Sequence, residues 1–463
     1  MSRAFTHDEQ LAFARLSGDF NPIHLDPILA RRLMFGRTIL HGLHLVLWAV
    51  DLWLGERTSP VRLKSIRVDF RRPASAGQLL ECNYLVNVGG HAKIELTTDG
   101  LSVLTVELHM AQGNAEGIKI PEFIPHPMEA KEAPVEDLRQ CSGRLPLWLD
   151  REAASKLFPN VTRLLPAEQI AALLATTRLV GMHAPGLHSV WRGFQLSDHS
   201  RDGVPELLYH AVKFDERFSL LDLQVEAPGL SGTLATGVRP PPMVQTSYVA
   251  MRPGVAPDAF HGERALVIGG SRGLGEVAVK LLAAGGADVR FTYHTGEDDA
   301  NRAVREITEG GGSALCFGYD ILGDPTALAD GLGAWRPTLL CYFATPFIFA
   351  GTQGRFSAEL FRTFCDFYVT GFHQTFVAMN EVSRVLYPST VAIEAPPPNL
   401  VEYAAAKAAG ESLCRSLALA HPDKRIVCPR FPRLATDQTA TLLRVPAADP
   451  IEAVLSALRS LYK

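Results

Sequence analysis

The chain of 463 residues contains no C-x-x-C pair, and its seven cysteines (Cys82, Cys141, Cys316, Cys341, Cys365, Cys414 and Cys428) are scattered and odd in number. That pattern argues against a disulfide framework and predicts reduced thiols in a cytoplasmic setting. No basic excess is present either: 45 Lys and Arg stand against 49 Asp and Glu, for a formal net charge of −4. A chain so balanced has no electrostatic footprint for nucleic acid. Also missing is an apolar run of the ~20 residues that a bilayer span requires. The most apolar stretch, Ile39 to Leu54, is broken by His41, His44 and Asp51 and is expected to form a buried helix. The opening MSRAFTHDEQ carries charges and no apolar core, so no secretion signal is expected. What remains is an ordinary soluble composition, 47% hydrophobic and 20% charged, with no membrane or nucleic-acid partner expected.

At about 100–200 residues per domain this length calls for several units. Residues 1–112 hold a loop section, the apolar helix and then VRLKSIRVDF, LLECNYLVNV, AKIELTTDG and LSVLTVELHM. These β-branched and apolar segments, separated by Gly, Pro and Asn, predict a helix followed by an antiparallel meander. Residues 113–143 are rich in proline and charge and read as a linker. The same order of elements returns over 144–245, with a helix over Pro166 to Leu179 ahead of GLHSVWRGFQLS, ELLYHAVKFDE, FSLLDLQVEA and GTLATGV. After a second linker, 246–261, residues 262–463 alternate apolar strands and helices, the signature of a doubly wound parallel sheet. The expected fold class is therefore multidomain, α+β followed by α/β.

Chemistry concentrates first in residues 13–30, FARLSGDFNPIHLDPILA. Phe13, Leu16, Ser17, Gly18, Asp19, Asn21, Pro22, Ile23, His24 and Ala30 together resemble the signature of the MaoC-like, or hydratase-2, family. Alone, Asp19 and Asn21 before a proline would read as turn caps; the complete signature favours chemistry. The resemblance implies a hot-dog fold and an (R)-specific 3-hydroxyacyl-thioester hydratase or dehydratase, with the repeat at 144–245 completing a double hot dog. It assigns Asp19 to activate water and His24 to shuttle the second proton, roles that a tuned carboxylate and an imidazole suit. Asn21 would hold the loop or the water. A backbone N–H near Gly42, at the start of the apolar helix, would hold the thioester oxygen, since helix N-termini present free N–H groups and a positive dipole end. His41 and His44 are expected to be caps or buried polar groups rather than catalysts. His183 and His188, in the second repeat, lack a carboxylate nearby in sequence, so that half is expected to serve as scaffold and to shape an acyl tunnel.

A second cluster lies in the last 200 residues. VIGGSRGLG follows an apolar strand and opens a helix, and Tyr403-Ala-Ala-Ala-Lys407 lies well downstream. The pair resembles short-chain dehydrogenases/reductases. That likeness implies a Rossmann-type domain whose cofactor contacts are Gly269, Ser271, Arg272, Gly273, Leu274, Gly275, Asp320 and Lys407, with Tyr403 and Lys407 as catalytic residues. Glycine suits a turn where the pyrophosphate meets backbone at a helix N-terminus. DVRFTYH ends without an acidic residue while Arg272 stands in the glycine turn, so NADP(H) is expected rather than NAD(H). No metal is expected.

This half departs from its family's pattern. The family's serine should fall roughly a dozen residues before the tyrosine, where TVAIEAPPP, read as a strand, offers Glu394 and prolines. Ser389 and Thr390 fall at what reads as the wrong end of that strand. The tetrad asparagine aligns with Tyr368, and the Asn-Asn-Ala-Gly segment reads Tyr342-Phe343-Ala344-Thr345. The implied activity is dehydration or hydration of an acyl-CoA or acyl-carrier-protein thioester coupled to 3-oxoacyl reduction. The alternatives are a hydratase with a degenerate nucleotide-binding module, an acyl-thioester-binding scaffold, and a thioesterase. Reductases of this kind commonly associate, so a homo-oligomer is expected.

Overall fold

The structure, a computed structural model, describes residues 1–113, 117–199, 203–379, 381–441 and 445–463. It divides into two compact units, Met1–Pro241 and Pro242–Ala440 with Val445–Lys463. Among the described residues no helix is long and apolar enough to cross a membrane.

The first unit is one ten-stranded sheet. Its strands are β1 (Ser2–Ala4), β2 (Val61–Phe70), β3 (Leu79–Val88), β4 (His91–Thr98), β5 (Leu101–Gln112), β6 (Ser142–Pro146), β7 (Ser189–His199), β8 (Glu206–Asp215), β9 (Leu220–Ala227) and β10 (Gly229–Val238). They run in the order β1-β3-β4-β5-β2-β7-β10-β9-β8-β6. Alternation of buried and half-buried residues along β9 shows why these segments are strands: one face meets the core at every second residue. Asp99 and Gly100 turn β4 into β5 with φ of 51° and 69°, the left-handed pair that a two-residue hairpin demands. The halves meet where β2 pairs antiparallel with β7, from Ser65 opposite Ser197 to Asp69 opposite Gly193.

Each half lays a helix on the sheet. Gly42–Leu54 is buried at every residue except Gly42 and Leu52, as a sequence apolar on every face but for His44 and Asp51 leads one to expect. Ala167–Arg178 is buried throughout after its first residue. The polar groups inside these helices tie the halves together. Asp51 accepts from the backbone N–H groups of Asn160 (2.7 Å) and Val161 (2.8 Å), capping the helix Pro159–Leu164. Gln169 accepts from the Leu63 N–H at 2.9 Å, and its amide donates to the Leu63 carbonyl at 2.9 Å and the Gly229 carbonyl at 3.1 Å. Both are buried polar groups with full partners, the condition for placing them in a core.

The second unit holds a six-stranded parallel sheet in the spatial order Ser313–Gly318, Asp288–Tyr293, Arg264–Ile268, Leu339–Tyr342, Arg384–Leu386, Arg425–Val427. The strand order reverses between Arg264–Ile268 and Leu339–Tyr342, the switch point where doubly wound sheets bind ligands. The glycine turn lies there: a Cβ on Gly269 would meet the Ala344 nitrogen at 2.9 Å, and the turn feeds the helix Gly273–Ala284. One expectation fails. TVAIEA is not a strand; the sheet strand ends at Leu386, Ser389–Thr390 pairs with Arg430–Phe431, and Val391–Ile393 forms a single turn of 3₁₀ helix. Three β-branched residues and no proline suggested a strand, but the Thr390 hydroxyl accepts from the Ala392 N–H at 3.1 Å and starts a turn instead.

Candidate active sites

The signature loop starts where the helix His7–Ser17 ends. Gly18 takes φ 78°, which closes that helix and turns the chain inward. Asp19 follows, 1% exposed. One carboxylate oxygen accepts from the Thr177 hydroxyl at 2.7 Å and the other from the Asn21 N–H at 3.2 Å. Asn21 caps the short helix Pro22–Leu25 by accepting from the Ile23 N–H, while its amide donates to the carbonyls of Gly181 (2.7 Å), Gly186 (3.2 Å) and Leu187 (3.3 Å). It holds the loop, one of the two roles expected of it.

That helix carries His24, half-buried and open on one side. Its Nδ1–H donates to the Ile39 carbonyl at 2.9 Å, which leaves Nε2 as the ring nitrogen that gains or gives up a proton. Asp19, His24 and His41 bring one ligand-type atom each to within 4.8 Å of one another. Burial raises the Asp19 pKa above the usual carboxylate value, opposed by His24, Thr177, Asn21 and Arg178. Burial lowers the His24 pKa, opposed by Asp19 and the Ile39 bond and assisted by Arg239. The pair thus presents a carboxylate that holds a proton more readily than usual beside an imidazole that gives one up more readily. Such convergence suits proton transfer near neutrality.

His41 is more than a cap. It is fully buried and stacks on His24 at 3.9 Å; its Nε2 lies 3.0 Å from the Asp19 carbonyl and its Nδ1 3.0 Å from Gln10 Oε1. Both ring nitrogens are thus engaged within the protein, and burial keeps the ring neutral by lowering its pKa well below the usual value. The helix Gly42–Leu54 begins beside it with no side chain capping its first turn. A Cβ on Gly42 would strike the Phe70 ring at 2.7 Å, so this helix start needs glycine for space. His44 faces Gln10 Nε2 at 3.0 Å and stacks on Phe13, as the sequence led one to expect of a buried polar group.

The second half does more than scaffold. Thr177 bonds Asp19 directly, and a Cβ on Gly181 would fall 2.2 Å from the Asp19 carboxylate. Arg178 lies 3.3 Å over the Trp148 ring, donates to the Pro146 carbonyl and is drawn toward Asp19, while burial brings its pKa down to about 9. Sequence reading missed these because their signal is tertiary.

In the second unit Tyr403 and Lys407 share one face of the helix Val401–Ala420. Burial pushes the Tyr403 hydroxyl up to about 12, opposed by a hydrogen bond with the Thr390 hydroxyl. Lys407 Nζ donates to the Pro388 carbonyl at 2.7 Å, lies 4.0 Å from the Tyr368 ring centre, and is brought down to about 7 by burial. Tyr368 and Thr345 share a 2.5 Å hydroxyl bond. Thr390 is therefore not at the wrong end: it meets Tyr403, whereas Ser389 is occupied by Glu411 at 2.6 Å. The signal was countable, since Thr390 stands thirteen positions before Tyr403. In the glycine turn, Gly273 has φ 57° and a Cβ on Gly275 would sit 2.0 Å from the Gly269 carbonyl oxygen. Ser271 is buried, Leu274 packs against the core, and Arg272 approaches Asp437 at 3.9 Å. Asp320 accepts from the Leu322 N–H at 2.9 Å and stands 3.8 Å from His294.

Comparison with known proteins follows this geometry. Residues 1–103 match the family model described as "MaoC like domain". A 77-residue stretch is 39% identical to peroxisomal multifunctional enzyme type 2 of Drosophila melanogaster, covering 16% of this chain and 13% of that protein. Over 43 residues the chain is 51% identical to (R)-specific enoyl-CoA hydratase of Aeromonas caviae, covering 9% of this chain and 32% of that protein. A stretch of 185 residues is 28% identical to 3beta-hydroxysteroid dehydrogenase 1 of Eggerthella lenta, covering 36% of this chain and 69% of that protein. The matched stretches thus span only a small part of the multifunctional enzyme and about a third of the hydratase. The stretch that matches the MaoC-like model, residues 1–103, is the one that carries Asp19, His24 and the Gly42–Leu54 helix.

Proposed function

We propose that the chain is an (R)-specific 3-hydroxyacyl-thioester dehydratase/enoyl hydratase with one active site per double hot dog, the halves being 1–112 and 144–245. The observation that carries this reading is the buried Asp19 carboxylate, held by Thr177 and Asn21 beside His24 with its Nε2 free. Water adds to C3 of the enoyl thioester as Asp19, entering as the carboxylate, accepts one of its protons, and His24, entering as the imidazolium, delivers its Nε2 proton to C2; passage of the proton from Asp19 to His24 then resets the pair. The uncapped first turn at Gly42 offers N–H groups to the thioester oxygen. General acid–base groups of this kind contribute about 100–10,000-fold each. The test is incubation with crotonyl-CoA and product identification by mass. Hydroxybutyryl-CoA formed by the wild type and abolished in D19N and H24A supports the reading. Free CoA thiol would instead mark a thioesterase.

The second unit, 262–463, is read as a reductase module taking NADP(H) and a 3-oxoacyl thioester, the carrier being CoA or an acyl carrier protein. The hydroxyl bond between Thr390 and Tyr403 favours this over a degenerate module. The glycine turn at the switch point, with no room for a Cβ at Gly269 or Gly275, fits a pyrophosphate against backbone. Bound NADPH would supply hydride; Tyr403 would give its proton to the carbonyl oxygen, Thr390 would hold that oxygen, and Lys407 would ease the tyrosine's ionisation and bind ribose hydroxyls. Arg272, close to Asp437, and Asp320 would meet the adenosine portion. NADPH-dependent reduction of acetoacetyl-CoA tests this module, and NADPH binding without turnover would favour the degenerate one.

A further inference from the structure

Arg239 follows the last strand of the first unit's sheet and is 1% exposed. Its Nη2 donates to the Leu187 carbonyl at 2.5 Å, the same carbonyl that accepts from Asn21 of the signature loop at 3.3 Å. Its backbone N–H is also fixed, donating to the His188 carbonyl at 2.8 Å. The residue is thereby fixed to the Leu187–His188 backbone, and through the shared Leu187 carbonyl its guanidinium lies beside Asn21 of the signature loop. Its other two nitrogens, Nε and Nη1, are buried and have no hydrogen-bond partner.

A buried guanidinium left so incomplete is costly, because each donor without a partner keeps its full desolvation penalty. Arg178, the other buried guanidinium near the site, also has an unmet Nε, but it lies over the Trp148 face, donates to the Pro146 carbonyl and feels the Asp19 charge. Among the described residues Arg239 has no ion pair with a carboxylate; burial lowers its pKa to about 10, and its charge acts on His24. Donors held unmet in the resting protein, beside a group that moves protons, fit a charge that arrives with the reaction.

We propose that Arg239 is a further catalytic residue of this site, whose Nε and Nη1 receive the thioester oxygen as it gains negative charge. The inference rests on the hydratase reading above. As the water oxygen bonds to C3, the electron pair of the C2–C3 double bond moves toward C2 and the thioester carbonyl, whose oxygen becomes enolate-like. Protonation of C2 returns the pair and restores the neutral carbonyl, so nothing is oxidised or reduced. A second half without Asp19 or His24 equivalents then supplies the cation for a transition state whose acid–base groups lie on the first half.

The experiment is crotonyl-CoA hydration by the full chain and its R239K, R239M and R239A variants, each checked for folding by circular dichroism and thermal melting. Losing an anion-stabilising donor costs about 100–1,000-fold in kcat. That loss is expected for R239M with KM changed by only a few-fold, with a smaller loss for R239K and partial recovery of R239A in millimolar guanidinium. Unchanged kcat in folded R239M would overturn the assignment. So would a loss confined to KM for substrates bearing a second carboxylate, or a displaced pH profile with an unaltered plateau rate. A wild type that hydrates nothing sinks the hydratase reading and the assignment together; an active wild type with an indifferent R239M sinks the assignment alone.

Discussion

The two halves of the first unit repeat one order of elements and divide the chemistry unequally. The first half owns the loop with Asp19 and His24; the second has a π-helical turn, Leu179–His183, after its own buried helix. From beside that turn come Thr177, which bonds Asp19, and Gly181, whose missing side chain leaves the carboxylate its space. The difference teaches that loss of a motif from one repeat does not retire it. Sharing a sheet through β2 and β7, the second half is fixed closely enough to set hydrogen bonds on the first.

Five substitutions would sharpen or break this picture, and the largest effect among them lies in the other unit. T390V removes the hydroxyl that meets Tyr403, and reduction of acetoacetyl-CoA is expected to fall about 100–1,000-fold, as for loss of one donor to a reacting oxygen. An unaffected rate would return Thr390 to a purely local turn. Next is G181A: its methyl would need the place of the Asp19 carboxylate, and a displacement of about 1 Å costs on the order of 100-fold in crotonyl-CoA hydration. Normal turnover in G181A would show that the second half is not in register with Asp19.

T177V is expected to cost about 10-fold, the lower end for a hydrogen bond to a charged group. Its sign with pH is definite. The Thr177 bond opposes the rise in the Asp19 pKa, so removing it raises that pKa further, and the acid limb of the rate profile moves to higher pH. An acid limb that stays in place would mean that Asp19 does not control it. Smallest in functional terms are L47A and L173A, one in each buried helix. Each should lower stability by about 2–5 kcal/mol. Both should shift a single cooperative unfolding step of this unit, whereas separate steps would mean that the halves fold independently.

Much of this was legible in the sequence. The apolar run from Leu43 to Leu54 gave its helix directly, and Asp19, Asn21 and His24 lie together because a single short loop carries them. Gly269, Gly273 and Gly275 were legible for the same local reason. Thr177, Gly181 and Arg239 were not, since each reaches the loop across more than 150 residues of chain, through a sheet pairing that no spacing announces. His41 is the buried polar group expected of it, whereas its stack on His24 is tertiary and had no local signal. Thr390 was misjudged through one wrong element: reading TVAIEA as a strand put its hydroxyl at the far end, whereas a turn beginning at Thr390 brings it to Tyr403.

The central claim is that Asp19 and His24 form a working acid–base pair for (R)-hydration. Its most direct test is the chirality of the 3-hydroxybutyryl-CoA formed from crotonyl-CoA by the wild-type chain, with D19N run in parallel. The account predicts the (R) product from the wild type and a loss of about 100–10,000-fold in D19N; an (S) product, or D19N as active as the wild type, would contradict it.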